Sequence, residues 1–261
     1  RGSGVVGRGG VEGVVRRPHP RPSLLSLVVA HLAARHPASP LLAAGYSLGA
    51  NILVHYLAEE GEACRIAAAV SMCNPFDLVL SDANFQTGFN RVYDWNLAAS
   101  LRGIFQRHAG LWEGAAAPFD PARAAAATTI RDFDDAITRV SFGFASVDEY
   151  YARASSASVV GKVRIPLLCL QAEDDPIAPA AAIPTAALAL NPHTLLATTE
   201  RGGHLGWCAG PAGAAGAPWC DAPAVEFLYS ALLELYRDGR LPARKEGGAQ
   251  ASERVEAARV A

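Results

Sequence analysis

Apolar residues along this chain fall into runs of two kinds. Short continuous runs of strand length occur at Pro40-Leu41-Leu42-Ala43-Ala44, at Ile66 to Met72 and at Ile165 to Gln171. A further run covers Thr194 to Thr198. Between them lie stretches with apolar residues at helical spacing. Ser23 is placed to cap a helix through Leu24, Leu25, Leu27, Val28, His31 and Leu32, which ends before Pro37. A second helix is expected at about 48–59, directly after a strand at about 40–46. Strand-length runs that are apolar throughout and separated by helices suit parallel strands covered on both faces, so the pattern predicts an α/β fold.

The pattern changes between Cys73 and Val163. Val92, Trp95, Leu97, Leu101 and Ile104-Phe105 give Arg91 to Gln106 an apolar stripe, and 122–127, 133–140 and 147–152 also read as helical. No strand signal intrudes over about 90 residues, far more than an ordinary connection, so this insertion is expected to form a helical subdomain. One helix near 180–190 and a closing amphipathic helix from Val225 to Arg237 complete the expected elements. Residues 1–22 show turn formers without a steady period and are expected to be irregular. Beyond Gly239 the Arg/Glu/Ala/Gly-rich segment 240–261 reads as a disordered tail.

Composition narrows the field. A net charge of −2 over 261 residues offers no electrostatic footprint for nucleic acid. No apolar run is long enough to span a membrane. Five cysteines, an odd number without close pairing, suggest reduced thiols and favour an intracellular setting. Cys73 and Cys169 read as small core residues, and a Cys208–Cys220 pair is the less favoured alternative to free thiols. No metal-spaced His/Cys cluster or phosphate-cradling loop is present, so neither metal nor cofactor is expected.

The sharpest chemical signal is Gly45-Tyr46-Ser47-Leu48-Gly49, set between an apolar strand and a helix. This order is that of a nucleophile elbow, in which a strained turn lifts a serine hydroxyl clear of the sheet. Both glycines are expected where the turn leaves no room for a side chain. A serine hydroxyl needs a histidine to take its proton, and the histidine needs an acid to fix its tautomer. In this topology the acid and the histidine follow the serine in that order.

The acid is expected just past the strand ending at Gln171, in Ala172-Glu173-Asp174-Asp175-Pro176-Ile177-Ala178-Pro179. A carboxylate there lies at the ligand-binding edge of a parallel sheet. Asp175 is favoured because Pro176 and Pro179 make a rigid turn that aims it back at the edge; Asp174 stays open as the alternative. The histidine is His204, in Arg201-Gly202-Gly203-His204-Leu205-Gly206-Trp207, where paired glycines let the loop pass close to its neighbours. His31 and His55 fall inside helices, His19 and His36 beside prolines, His108 in the insertion, and His193 just before a strand. One oxyanion-hole donor is expected from the Leu48 N–H at the start of the elbow helix. No second donor can be nominated.

These segments together resemble the plant embryogenesis-associated α/β-hydrolases, relatives of animal abhydrolase-domain lipid hydrolases and bacterial yheT-type hydrolases. The matching stretches are Pro40 to Asn51, Asn74-Pro75-Phe76-Asp77-Leu78, Arg131-Asp132-Phe133-Asp134, Thr138 to Phe144, Asp148-Glu149-Tyr150-Tyr151, Asp175 to Pro179 and Gly202 to Trp207. The resemblance implies an α/β-hydrolase fold over about 23–239, with a helical cap at about 75–160. It implies a serine acyl hydrolase for short-chain esters, monoacylglycerols or phospholipid acyl chains, with Ser47, Asp175 and His204 as its triad. It also implies that early strands, a His-Gly oxyanion loop and, in some members, a membrane anchor precede the point where this sequence starts. The chain is therefore expected to be N-terminally truncated. A small-molecule ester or lipid is the expected partner. A catalytically impaired remnant acting as a binding module, and an acyltransferase, are the alternative functions.

Overall fold

The computed structural model describes residues 23–111, 118–208 and 216–241. The segment expected to be irregular (1–22) and the tail from residue 242 on lie outside them. Helix α1 (Leu24–Arg35) starts at Ser23, whose side chain accepts the Ser26 N–H. Strand β1 (Leu41–Tyr46) passes through Ser47 into α2 (Leu48–Glu60), and β2 (Ile66–Met72) follows. The insertion carries α3 (Leu78–Phe85), α4 (Asn90–Arg107), α5 (Pro121–Ala126), α6 (Ile130–Phe133), α7 (Arg139–Ser141) and α8 (Val147–Ala154). Strand β3 (Leu167–Ala172), α9 (Thr185–Leu190), β4 (Thr194–Thr199) and α10 (Asp221–Arg237) close the order.

The four strands form one parallel sheet in the order β1-β2-β3-β4. Alternation along β2 and β3 divides the core in two. Ala69, Leu167 and Cys169 face a cluster with Val29 of α1, Leu53, Val54 and Leu57 of α2 and Leu188 of α9. Val70, Met72, Leu168 and Leu170 face Ala224 of α10 and Trp207 on the other side. The two central strands are thus covered on both faces, as their unbroken apolar sequence predicts. The outer two depart from that expectation. Leu42 and Tyr46 of β1 and Leu195 of β4 are exposed: they point away from the face on which Leu41, Ala43 and Leu196 pack against the first cluster.

The stretch 133–140 is helical as expected, with a π-helical turn at Asp134–Thr138 between α6 and α7. One further expectation needs correction. The helix expected near 180–190 is split into a 3₁₀ turn, Ala180–Ala182, and α9. Pro184 stands at the break, where a residue without an N–H cannot continue a helix from the preceding turn. Helix α3 is an element beyond those expected, and Asp77 caps it by accepting the Val79 and Leu80 N–H groups.

The insertion has its own small core, in which Phe105 meets both Phe119 and Phe133 edge to face. Two asparagine side chains tie it to the rest of the fold. Asn51 of α2 donates to the Ala154 carbonyl at 2.7 Å and accepts the Ser156 N–H at 3.0 Å. Asn84 of α3 donates to the Pro176 carbonyl at 2.7 Å, beside the turn that carries Asp175. Asn51 is buried, and a buried amide is costly to leave unpaired, so its two bonds hold the end of α8 against α2.

Candidate active site

Each strand delivers one stretch of chemistry at its C-terminal end: Ser47 after β1, Cys73 after β2, Asp174 and Asp175 after β3, and the His204 loop after β4. In a parallel sheet this is the edge where ligands bind.

Ser47 has φ 51° and ψ −125°, a left-handed conformation that a non-glycine residue adopts only under constraint. Three contacts impose it. The Ser47 N–H still donates to the Met72 carbonyl at 2.9 Å, while its own carbonyl accepts the Ala50 and Asn51 N–H groups that open α2. The turn can close only because Gly45 has no side chain: a Cβ there would lie 2.7 Å from the Ala50 Cα and 2.8 Å from the Gly49 carbonyl oxygen. Gly49 differs from expectation, since a Cβ at that position meets nothing within 4 Å. Only the first glycine of the motif is demanded by packing. Leu48 is the first residue of α2, and N–H groups of a helix's first turn have no acceptor within the helix.

Asp175 is buried, with its side chain fully shielded from solvent. Its Oδ1 accepts the Ile177 N–H at 2.8 Å and the Ala178 N–H at 2.9 Å, so the carboxylate is locked into the turn that follows it. His204 approaches from β4. Its Nδ1 lies 2.8 Å from Asp175 Oδ2 and 3.1 Å from Oδ1, and its Nε2 lies 2.8 Å from Ser47 Oγ. The structure thus brings together three side chains nominated from distant parts of the sequence. With Nδ1–H donating to Asp175, Nε2 is left as the acceptor for the serine hydroxyl. His55, by contrast, faces the Ala154 carbonyl at 2.9 Å from Nε2.

Asp174, the other acid considered, does not face His204. Its Oδ1 accepts the N–H groups of Gly202 and Gly203 at 2.8 and 2.7 Å. On the far side of the histidine, the Leu205 N–H donates to Cys73 Sγ at 3.3 Å, and the Cys73 thiol points to the Gly203 carbonyl at 3.6 Å. Cys73 is buried as expected of a core residue, but with φ 46° and two loop contacts it is more than filler. Nothing in the sequence marks these contacts, because both depend on which loop the sheet sets opposite each strand end. All five cysteines are free, including Cys208 and Cys220.

Cys73, Asp175 and His204 are the one group of His, Cys, Asp or Glu among the described residues with ligand atoms close enough for a metal, within 4.8 Å of one another. The set is poorly suited to that use. Burial first, and then the neighbouring Asp175 carboxylate, push the Cys73 thiol far up, away from the thiolate a metal takes, although the Leu205 N–H opposes the shift. The Asp175 oxygens and His204 Nδ1 are already engaged with each other. A cleft of about 410 Å³ opens beside the histidine loop, between Arg201, Trp207 and Trp219; its lining includes neither Ser47 nor His204. No helix among the described residues is long and apolar enough to cross a membrane.

Comparison with known proteins agrees with this architecture. Residues 27–207 match the model of the alpha/beta hydrolase fold family. The embryogenesis-associated protein EMB8 of Picea glauca is 48% identical over 206 residues, covering 78% of this chain and 45% of that protein. The phospholipase ABHD3 of Mus musculus is 32% identical, covering 71% and 45%, and the putative esterase YheT of Escherichia coli is 34% identical, covering 66% and 50%. The chain therefore spans about half the length of the curated relatives it matches. Sheet, strand-end loops and family match lead to one assignment: this chain belongs to the alpha/beta hydrolase fold family, with relatives of the embryogenesis-associated, abhydrolase-domain and YheT types.

Proposed function

We propose that this chain cleaves carboxylic esters through an acyl-enzyme, with Ser47 as nucleophile, His204 as general base and then general acid, and Asp175 as the group that orients the imidazole. The 2.8 Å approach of His204 Nε2 to Ser47 Oγ, with Nδ1 held by Asp175 on the opposite side of the ring, carries this assignment. In the first step Ser47 Oγ bonds to the ester carbonyl carbon while its proton passes to Nε2. The Asp175 carboxylate stabilises the imidazolium that results. The Leu48 N–H supplies one hydrogen bond to the oxyanion. Collapse of the tetrahedral species returns the Nε2 proton to the leaving alcohol. Water then repeats the sequence on the acyl-serine.

The surroundings favour an apolar acyl group. Tyr46, Leu48 and Ile52 bracket Ser47 on the elbow and are 48%, 52% and 49% exposed, leaving apolar surface beside the nucleophile. Relatives named as a phospholipase and a putative esterase are in keeping with lipid or short-chain esters. In this reading the helical insertion, tied by Asn84 to the Asp175 turn, is the cap over such a chain.

An alkyl fluorophosphonate probe and 4-nitrophenyl butyrate test this function. The wild-type chain is expected to take up the probe. Ser47→Ala should lose both labelling and at least about 10⁴-fold of its ester turnover. Folded wild-type protein that neither labels nor turns over the ester would overturn the proposal.

A further inference from the structure

Residues 202–206 form a closed loop with His204 at its tip: the Gly202 carbonyl accepts the N–H groups of Gly206 at 3.1 Å and Trp207 at 2.9 Å. The successive N–H groups of Gly202 and Gly203 converge on one point, and Gly203, at φ 57°, then turns the chain into His204. Such a pair forms a small anion-binding nest. The anion in it is Asp174, through a single oxygen at 2.8 and 2.7 Å. Its sequence neighbour Asp175 has its own side chain locked by the Ile177 and Ala178 N–H groups. The adjacent carboxylates divide the work: one binds the imidazole and the other binds the backbone that carries it.

From this geometry we infer that Asp174 is a positioning residue for the proposed hydrolysis, holding the Gly202-Gly203 nest so that His204 reaches Ser47 and Asp175 at once. The inference rests on the function proposed above. Two bonds to an anion are the stronger kind of hydrogen bond, and both precede the histidine directly, so their loss transmits to the ring with little slack. Cys73 still holds Leu205 on the far side, so the loop would pivot at its near end only and would not detach.

The test compares Asp174→Ala and Asp174→Asn with the wild-type chain by two readouts, ester kinetics and amide hydrogen exchange at Gly202 and Gly203. Asn keeps an acceptor oxygen for both N–H groups, while Ala removes it. Asp174→Ala should lower kcat roughly tenfold to a hundredfold with KM little changed, because displacement of a catalytic group acts on the chemical step. Asp174→Asn should recover to within about fivefold of wild type, having lost only the charge on the acceptor. Exchange at Gly203 should accelerate in the Ala variant alone. Ala behaving as wild type in both readouts would overturn the inference, as would Asn failing along with Ala while the Gly203 amide stays protected. If the wild-type chain hydrolyses nothing yet Gly203 is released in Asp174→Ala, the anchoring stands and the esterase function falls.

Discussion

The nucleophile and its base reach the same point by opposite means. Ser47 is placed by backbone: β1 enters, α2 leaves, and a left-handed residue between them is the only join the two elements permit. His204 is placed by side chains: Asp174, Asp175 and Cys73, from the ends of two other strands, grip a loop with no helix or strand of its own. Three substitutions of glycine by alanine, one methyl group each, separate these two modes of construction.

Gly45→Ala should have the largest effect. The added Cβ meets the backbone of Gly49 and Ala50 at 2.7 to 2.9 Å, and backbone inside the first turn of a helix cannot step aside. Overpacking of this kind costs about 3 kcal/mol, a large share of the roughly 5–15 kcal/mol that holds a domain folded. The expected result is a fall in thermal midpoint and in soluble yield, with probe labelling lost along with the fold. A variant that melts like wild type would show that the elbow has more freedom than a backbone-built turn allows.

Gly202→Ala should come second and fail differently. Its Cβ would strike the Trp207 indole, 2.7 Å from Cε2 and 2.8 Å from Cδ1. A side chain can move where backbone cannot, at the expense of the bond from the indole N–H to Thr199 Oγ1 at 2.9 Å. The sheet should stay folded while the histidine loop shifts. Near-native circular dichroism combined with a roughly tenfold to hundredfold slower reaction of Ser47 with the fluorophosphonate is the expected pair of results. Equal losses of fold in Gly45→Ala and Gly202→Ala would erase the distinction between the two regions.

The same distinction explains how much could be read from sequence. An elbow is local: five residues between an apolar strand and a helix suffice, and Ser47 with its flanking elements was legible from Pro40 to Leu57 alone. Strands β2 and β3 were legible for a related reason, since full burial on both faces leaves an unbroken apolar run. Asp175 and His204 could be nominated from chain order and turn formers, but the choice between Asp174 and Asp175 rested on the prolines alone. What separates these two acids is which loop β4 sets opposite them, and that is a tertiary fact. Asp174, Cys73 and the Asn51 and Asn84 ties act over separations of about 28 to 132 residues, which no periodicity encodes. The split at Pro184, by contrast, is a local signal, since proline lacks the N–H that a continuous helix needs.

Gly49→Ala should have the smallest effect. The second glycine of the motif lies on α2 with φ in the ordinary range and open space where its Cβ would be. Alanine is the better helix former by up to about 1 kcal/mol, so the thermal midpoint should hold or rise slightly. Reaction with a short fluorophosphonate should change less than about twofold, because no contact of Ser47, His204 or Asp175 passes through this position. Packing does not require a glycine here, and the added methyl group would enter open space two residues from Ser47. Esters of increasing acyl length decide the point: a penalty for Gly49→Ala that grows with chain length would place the acyl group against α2, whereas a length-independent loss would mean the methyl group disturbs the elbow itself, and the contrast with Gly45 would collapse.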